Sequence, residues 1–388
     1  MFKAVVLVFL LAFLPACAAD SQDMVLNILY TGAIRGELEP CGCSPKTESG
    51  GLARLSGYIS ANQEGLKPYV LVDAGNSMDE DTPQGRLKAD ALLRSFNIMG
   101  YDAVALSSRD LFAEGFVATL IEDYGIPLIT DGSESSISFE RAHFRVNISA
   151  DPKGYRKGML NILLTDRSVS EATAFKGWDV IVTSSGETIE EPLREGKTVI
   201  VSGYPKGEKL GILSLQLDKD GKVSGVTHRW QELKKDVAED TDVRGVLNEY
   251  DAKVAELLKE EEGKVRSNGS YIGASICARC HQPFMEGWQS SRHAKAFNSL
   301  EEVGKSMDPE CIKCHSTGHG EEGGFYSAVS TPELANVQCE VCHGPGREHL
   351  ADYDMPMKPV GKSTCLGCHT EEQSPEFDFG HYLEKIKH

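Results

Sequence analysis

The sequence predicts an α/β layered N-terminal domain followed by a mostly irregular to α-helical C-terminal domain, and three observations predict it. Between Val25 and about Trp230, short β-branched apolar runs alternate with helical stretches. Beyond residue 270 that apolar periodicity fades while Cys, His and Gly rise sharply. A chain of 388 residues is long enough for two such domains, each with its own core. The charge balance is acidic, 40 Lys+Arg against 58 Asp+Glu, with no basic block to meet phosphates, which argues against a nucleic-acid partner.

The N-terminus reads as an address. Lys3 precedes the apolar run Ala4 to Leu14 and then "PACAAD", the layout of a secretory signal. The run is too short to span a bilayer, and no later stretch approaches the length of a membrane helix. Leu14-Pro15-Ala16-Cys17 resembles a bacterial lipobox. Residues 1–16 are therefore assigned as a lipoprotein signal peptide, with Cys17 lipidated and the membrane reached through that anchor. The competing reading is ordinary cleavage with Cys17 a bystander. Export places the chain in the periplasm, at the outer membrane or on the cell surface.

Residues 24–235 form the α/β unit. Strand candidates are "VLNILY", "YVLVDA", "AVALS", "IPLIT", "LNILL", "DVIVT", "TVIVS" and "LGILSLQL". Helix candidates are "GLARLSGYISANQ" and "RLKADALLRSFNIMG". "LGILSLQL" and "KVSGVTHRW" read as an antiparallel pair across "DKDG". Residues 236–270 read as a helix and linker. Val243, Val246, Leu247, Tyr250, Val254, Leu257 and Leu258 mark one apolar stripe, suited to packing on the first domain, and "GKVRSNGS" is the linker.

Residues 271–388 repeat one pattern four times. The strings are "CARCH" (Cys277, Cys280, His281), "CIKCH" (Cys311, Cys314, His315), "CEVCH" (Cys339, Cys342, His343) and "CLGCH" (Cys365, Cys368, His369). Two thiols three residues apart can reach the two vinyl groups of one haem, and the adjacent imidazole then lies under the iron. Zinc is the alternative, since four CxxC pairs could build two tetrathiolate sites. Such sites have no use for a histidine after every second cysteine, and in an exported protein bare dithiols oxidise. The expectation is four covalently bound haem c groups. They would supply most of this domain's core, so the apo-polypeptide should not fold. Five further histidines, His293, His319, His349, His381 and His388, are candidates for distal ligation.

"CARCHQPFMEGWQSSRHAKAF", "DPECIKCHSTGHG", "VQCEVCHGPGREH" and "SPEFDFGHYLEKIKH" together resemble the cytochrome c-554-like tetrahaem family across residues 271–388. By position, that resemblance implies His293, His349 and His388 as distal ligands, with three bis-His haems and one open iron position. His319 and His381 depart from the family pattern, and either could close the open site. His319, four residues from His315, is poorly placed for the far face of the same haem.

"ILYTGAIRGELEPCGC", "YVLVDAGNS", "MGYDAVALSSRD" and "DVIVTSSGET" resemble, in order, the blocks of the 5′-nucleotidase-type metallophosphoesterases. The resemblance implies their fold, and it implies a two-metal site whose ligands are gone. The positions of the metal ligands hold Ala33, Arg35, Asn76, Ser108, Arg109, Ser185 and Glu187. Fixed positive charge on Arg35 and Arg109 opposes a dication, so phosphoesterase activity is not expected. The two arginines could instead form an anion pocket, while Asp73 and Asp110 either pair with them or cap turns. Cys41 and Cys43 form a CxC pair, read as a strained disulfide, a redox dithiol or a metal-capture site. "PCGC…GGLARL" is also similar to an exported phosphoesterase-like family in which the CGC position can carry selenocysteine.

The function expected is an exported, membrane-anchored tetrahaem cytochrome passing electrons between redox proteins through bis-His haems. The alternative is a redox enzyme, acting on a small molecule at an open haem or as a dithiol reductase through Cys41 and Cys43. Residues 271–388 carry 10 basic and 17 acidic side chains, so the redox partners expected are proteins with basic docking surfaces.

Overall fold

Continuous Val/Ile/Leu runs suit strands covered on both faces. The computed structural model, which describes residues 24–40, 48–113, 124–131, 136–262, 269–371 and 373–387, covers them so. Strands β1 to β6 are Met24–Thr31, Tyr69–Asp73, Ala103–Leu106, Leu128–Thr130, Ser136–Arg141 and Phe144–Ser149. Strands β7 to β12 are Leu160–Thr165, Val180–Thr183, Leu193–Glu195, Thr198–Ser202, Lys209–Leu217 and Val223–Glu232. Among the described residues they make two six-stranded sheets, in the orders β12-β11-β1-β2-β3-β4 and β5-β6-β7-β8-β10-β9.

In the first sheet β1 to β4 run parallel, and β11 joins β1 antiparallel. The expected pair across "DKDG" is β11 with β12. In the second sheet β6, β7, β8 and β10 run parallel between the antiparallel edges β5 and β9. Leu26, Ile28, Val70 and Val72 of the first sheet meet Val146, Ile162, Val180 and Val199 of the second in one continuous buried layer. Burial of this much aliphatic surface is the main stabilising term for the domain.

Helices α1 (Leu52–Ala61), α2 (Pro83–Met99) and α3 (Thr241–Glu262) cover the outer face of the first sheet. The start of α2 is written in its sequence: Thr82 accepts from the Gly85 amide at 2.9 Å, and Pro83 occupies the first turn. Gly100, at φ 71°, ends the helix. The α3 stripe packs on the first domain as expected, through Val243, Val246, Leu247, Tyr250 and Val254. Its last buried residue, Leu258, belongs instead to a small cluster with Tyr271, Phe297, Leu300, Ile312, Phe325 and Leu334.

That cluster is the hydrophobic core of the C-terminal region among the described residues. The rest is short helices: α4 (Ala274–Ser290), α5 (Pro309–His315), α6 (Cys339–His343), α7 (Lys362–Leu366) and α8 (Phe379–Ile386) are used below. After Gly346 no described residue is buried. No helix among the described residues is long and apolar enough to cross a membrane.

Candidate functional site

Each Cys-x-x-Cys-His string forms one helical turn, which puts both thiols on one face and the histidine beside the first of them. The first three motifs lie inside α4, α5 and α6. The fourth starts in α7 and closes its turn with the His369 amide on the Cys365 carbonyl at 2.8 Å. In α4, Pro283 has no amide to give the carbonyl four residues back, and the helix departs from helical angles at His281. Among the described residues none of the eight motif cysteines is in a disulfide. Cys277 lies beside Cys339, and Cys314 beside Cys368, which brings the first motif to the third and the second to the fourth. Among the described residues no group of three or more His, Cys, Asp or Glu is arranged to hold a bare metal ion.

Two pairs of imidazoles lie close together. The ring centres of His281 and His349 lie 6.3 Å apart, and those of His293 and His369 lie 6.2 Å apart. A metal–imidazole bond of about 2 Å, plus roughly 1.2 Å from nitrogen to ring centre, puts two imidazoles on opposite sides of one iron about 6.4 Å apart. Both pairs have that spacing. Each joins a motif histidine to a histidine outside the motifs.

Hydrogen bonds orient the rings. Nδ1 of His315 meets the Ala296 carbonyl at 2.7 Å, and Nδ1 of His349 meets that of Met355 at 2.8 Å. His369 uses Nδ1 with the Ser374 hydroxyl at 3.2 Å, and His319 with the Phe325 carbonyl at 3.0 Å. A ring held through Nδ1 turns Nε2 outward, which is the arrangement a metal-ligating histidine needs. Burial lowers the pKa of His293, His319 and His369, favouring the neutral ring that carries a free lone pair. His369 is further fixed by Phe377, whose ring stacks on it at 4.9 Å. His381 is exposed, and its amide is capped by Asp378 at 2.8 Å. Cys17, Cys41, Cys43 and His388 lie outside the described residues.

Glu340 stands between the two cysteines of the third motif, and sequence reasoning missed it. It is 2% exposed and accepts from the amides of Ile272 at 3.0 Å, Gly273 at 2.8 Å and Gly346 at 2.7 Å. The third motif thus caps the entry to the first. An acidic residue inside a Cys-x-x-Cys turn was the available signal.

In the N-terminal domain the ends of β1 and β2 retain the shape of a site without its ligands. Ala33, Arg35 and Asn76 hold φ at 56°, 55° and 52°, a backbone region that side chains disfavour and that clusters at functional sites. The two strand ends are laced together by Ala33 N to Gly75 O at 2.8 Å and Arg35 N to Asn76 O at 3.1 Å. Asn76 spends its amide on the Ser184 carbonyl and the Ser107 hydroxyl, both at 2.8 Å. Glu187 accepts from the Val169 amide at 2.6 Å, and Ser108 contacts Asp166 at 3.4 Å. The Arg35 guanidinium lies against Gly186, beside Ser185, where a Cβ would meet it at 2.5 Å. Arg35 and Arg109 are exposed and make no ion pair with a described residue. This set does not fit two metal ions.

The two aspartates cap turns and do not pair with those arginines. Asp110 accepts from the amides of Asn76, Ser77, Met78 and Ser107 at 2.7 to 3.0 Å. Asp73 is fully buried and accepts from Thr31, Ser77 and the Gly75 amide at 2.7 to 2.9 Å. Burial, with a smaller push from Asp110, raises its pKa to about 7 in spite of those donors.

Comparison with known proteins follows the same division. A family model described as cytochrome c554 and c-prime matches residues 276–344, which hold the first three motifs. Cytochrome c-554 of Nitrosomonas europaea is 31% identical over 102 residues, covering 22% of this chain and 43% of that protein. The chain thus spans less than half the length of that curated relative. A 5′-nucleotidase precursor from Thermus thermophilus superposes with a TM-score of 0.53 at 16% identity, over 61% of this chain and 60% of that one. Sulfate thiohydrolase SoxB of Thermus thermophilus, in complex with glycerol, superposes at 0.51 and 14% identity, over 59% and 60%. At such identities the likeness shows the fold alone. The C-terminal region is therefore similar to cytochrome c554, a similarity that implies covalently bound haem c, and the N-terminal region has the 5′-nucleotidase-type phosphoesterase fold.

Proposed function

We propose that this chain is an exported tetrahaem c-type cytochrome that carries electrons between redox proteins, and the carrying observation is the paired imidazole spacing. Cys277 and Cys280, Cys311 and Cys314, Cys339 and Cys342, and Cys365 and Cys368 each attach one haem. His281, His315, His343 and His369 are the proximal ligands. His349 with His281, and His293 with His369, would each hold one iron between them, in keeping with separations of 6.3 and 6.2 Å. His388 is the imidazole left for one of the haems of His343 and His315; His319, four residues from His315, is poorly placed for the far face of that residue's haem. Bound haem supplies a one-electron Fe(III)/Fe(II) couple. The polypeptide sets each couple through its ligands, their hydrogen bonds and nearby charge. Contact between the first and third motifs, and between the second and fourth, supports a relay of short steps.

The acidic C-terminal domain suits redox partners with basic surfaces, and docking would weaken with salt. Lipid on Cys17 would hold the protein at a membrane on the non-cytoplasmic side. Protein made in a host competent for cytochrome maturation tests the reading. Intact mass should show four haems on the eight motif cysteines, and His349→Ala and His293→Ala should each convert one low-spin haem to high-spin, whereas His381→Ala should not. Colourless protein at its bare polypeptide mass would refute it.

A further inference from the structure

Helix α5, which carries Cys311, Cys314 and His315, is latched onto the N-terminal domain by its first turn. Glu310, the residue before Cys311, places Oε1 2.6 Å from Lys88 Nζ. Lys88 belongs to α2, is only 5% exposed, and also lies 2.9 Å from Asp79 Oδ2. Asp308 caps α5 and accepts from Gln84 of α2 at 3.3 Å, while Gln84 also donates to Tyr250 of α3 at 3.0 Å. Just upstream, Lys305 sits 2.7 Å from Asp251 of α3 and 3.4 Å from Glu39. Glu39 in turn receives both terminal nitrogens of Arg244, at 2.6 and 2.9 Å.

Apolar packing at this contact comes from Leu258 of α3, which shares a buried cluster with Ile312 of α5. Pro83, Val254, Leu257 and Pro309 line a cleft of about 330 Å³ between α2, α3 and the start of α5. Beside that cluster the contact is polar, made by the ion pairs of Lys88 and Lys305. Flanks of the first and third motifs, by contrast, are tied within their own domain, Gly273 to Glu340 at 2.8 Å and Gln338 to the Glu333 carbonyl at 2.7 Å.

Lys88 is buried while the Glu310 side chain is 53% exposed, so the pair sets a partly screened charge beside Cys311, the next residue in the chain. Oxidation of a haem adds one positive charge, which a neighbouring cation opposes and a neighbouring carboxylate favours. We propose that Lys88 is a positioning residue of the N-terminal domain: through Glu310 it holds the Cys311–His315 helix, and with Glu310 and Asp79 it sets the potential of the haem attached there. The proposal rests on the haem assignment above. It gives the degenerate phosphoesterase-like domain a task, as the charged wall against which one haem is held.

The test uses full-length holoprotein carrying Lys88→Met, Glu310→Gln or Lys88→Arg, with optical redox titration, far-UV circular dichroism and haem count by mass. Lys88→Met leaves two carboxylates unbalanced, so one haem component should become harder to reduce. The expected change is about tenfold in its reduced-to-oxidised ratio, or about 59 mV for one electron. Glu310→Gln should move that component the opposite way, and Lys88→Arg should return the wild-type value. Unmoved titrations in folded, fully haemylated Lys88→Met and Glu310→Gln overturn the proposal. A shift of the same sign in both also overturns it, because it marks a loosened helix and not a charge effect. If Lys88→Met does not fold, an opposite shift in Glu310→Gln together with a wild-type Lys88→Arg supports the proposal, and their absence overturns it. A wild-type protein without haem at Cys311 and Cys314 would sink the haem assignment instead, a separate failure read from the mass alone.

Discussion

The two halves of this chain are held together by different materials. In the N-terminal domain, Leu26, Ile28, Val72, Ile162, Val182 and Leu213 are wholly buried between two sheets. In the C-terminal domain a seven-residue cluster ends with Leu334, and from Arg347 onward every described residue keeps contact with solvent. One half buries its own side chains. The other leaves its motif thiols and imidazoles at least partly exposed around a small cluster.

The largest test of that contrast is to withhold the cofactor. Expressed without cytochrome maturation, the full chain should lose protease resistance from about residue 271 onward while a fragment covering the two sheets survives. A colourless but protease-resistant C-terminal domain would break the comparison. Next in size is a matched pair of truncations. Leu213→Ala, at 0% exposure, should cost about 2–5 kcal/mol in denaturant unfolding of the N-terminal domain. Leu366→Ala, at 43% exposure, should change stability by no more than about 0.5 kcal/mol.

Asp73 sharpens the contrast through pH. Burial raises its folded pKa to about 7 from an ordinary value of 3.8. Between those values the folded protein holds a proton that the unfolded chain has lost, so stability falls as pH rises through this window and levels off above about 7. The swing is on the order of 4 kcal/mol as an upper bound. Asp73→Asn, which can keep the contacts to Thr31, Ser77 and Gly75, should flatten the N-terminal domain's stability profile between pH 4 and 7, read by chemical denaturation at each pH. The smallest effect expected is none: nucleotide hydrolysis should not rise on adding Mn²⁺, Zn²⁺ or Ca²⁺, because the residues at the strand ends do not fit a metal pair.

The strands that sequence reasoning found are those with continuous apolar runs, such as β7 and β10, which are buried along their whole length. It missed β5, "SISFER", which is half-exposed, and β6, "FRVNIS", which is buried over its last four residues; the two are joined by Ala142 and His143 at φ 51° and 71°. That hairpin carries no Asn-Gly or Asp-Gly signal at its turn. It also missed β9, three exposed residues at a sheet edge. The four Cys-x-x-Cys-His strings were legible because their pattern is local. The facing of His281 with His349, the Glu340 cap and the Lys88–Glu310 latch were not, since each joins residues that only the tertiary fold brings together.

The two histidine pairs interleave along the chain. His293 lies between His281 and His349, and His349 lies between His293 and His369. The second span therefore opens inside the first and closes beyond it, so bridging both pairs would lace the polypeptide into overlapping loops, neither of which closes independently of its neighbour. Such lacing restricts the unfolded chain as crossed covalent staples do, and it makes the order in which the ligands engage part of how this domain matures.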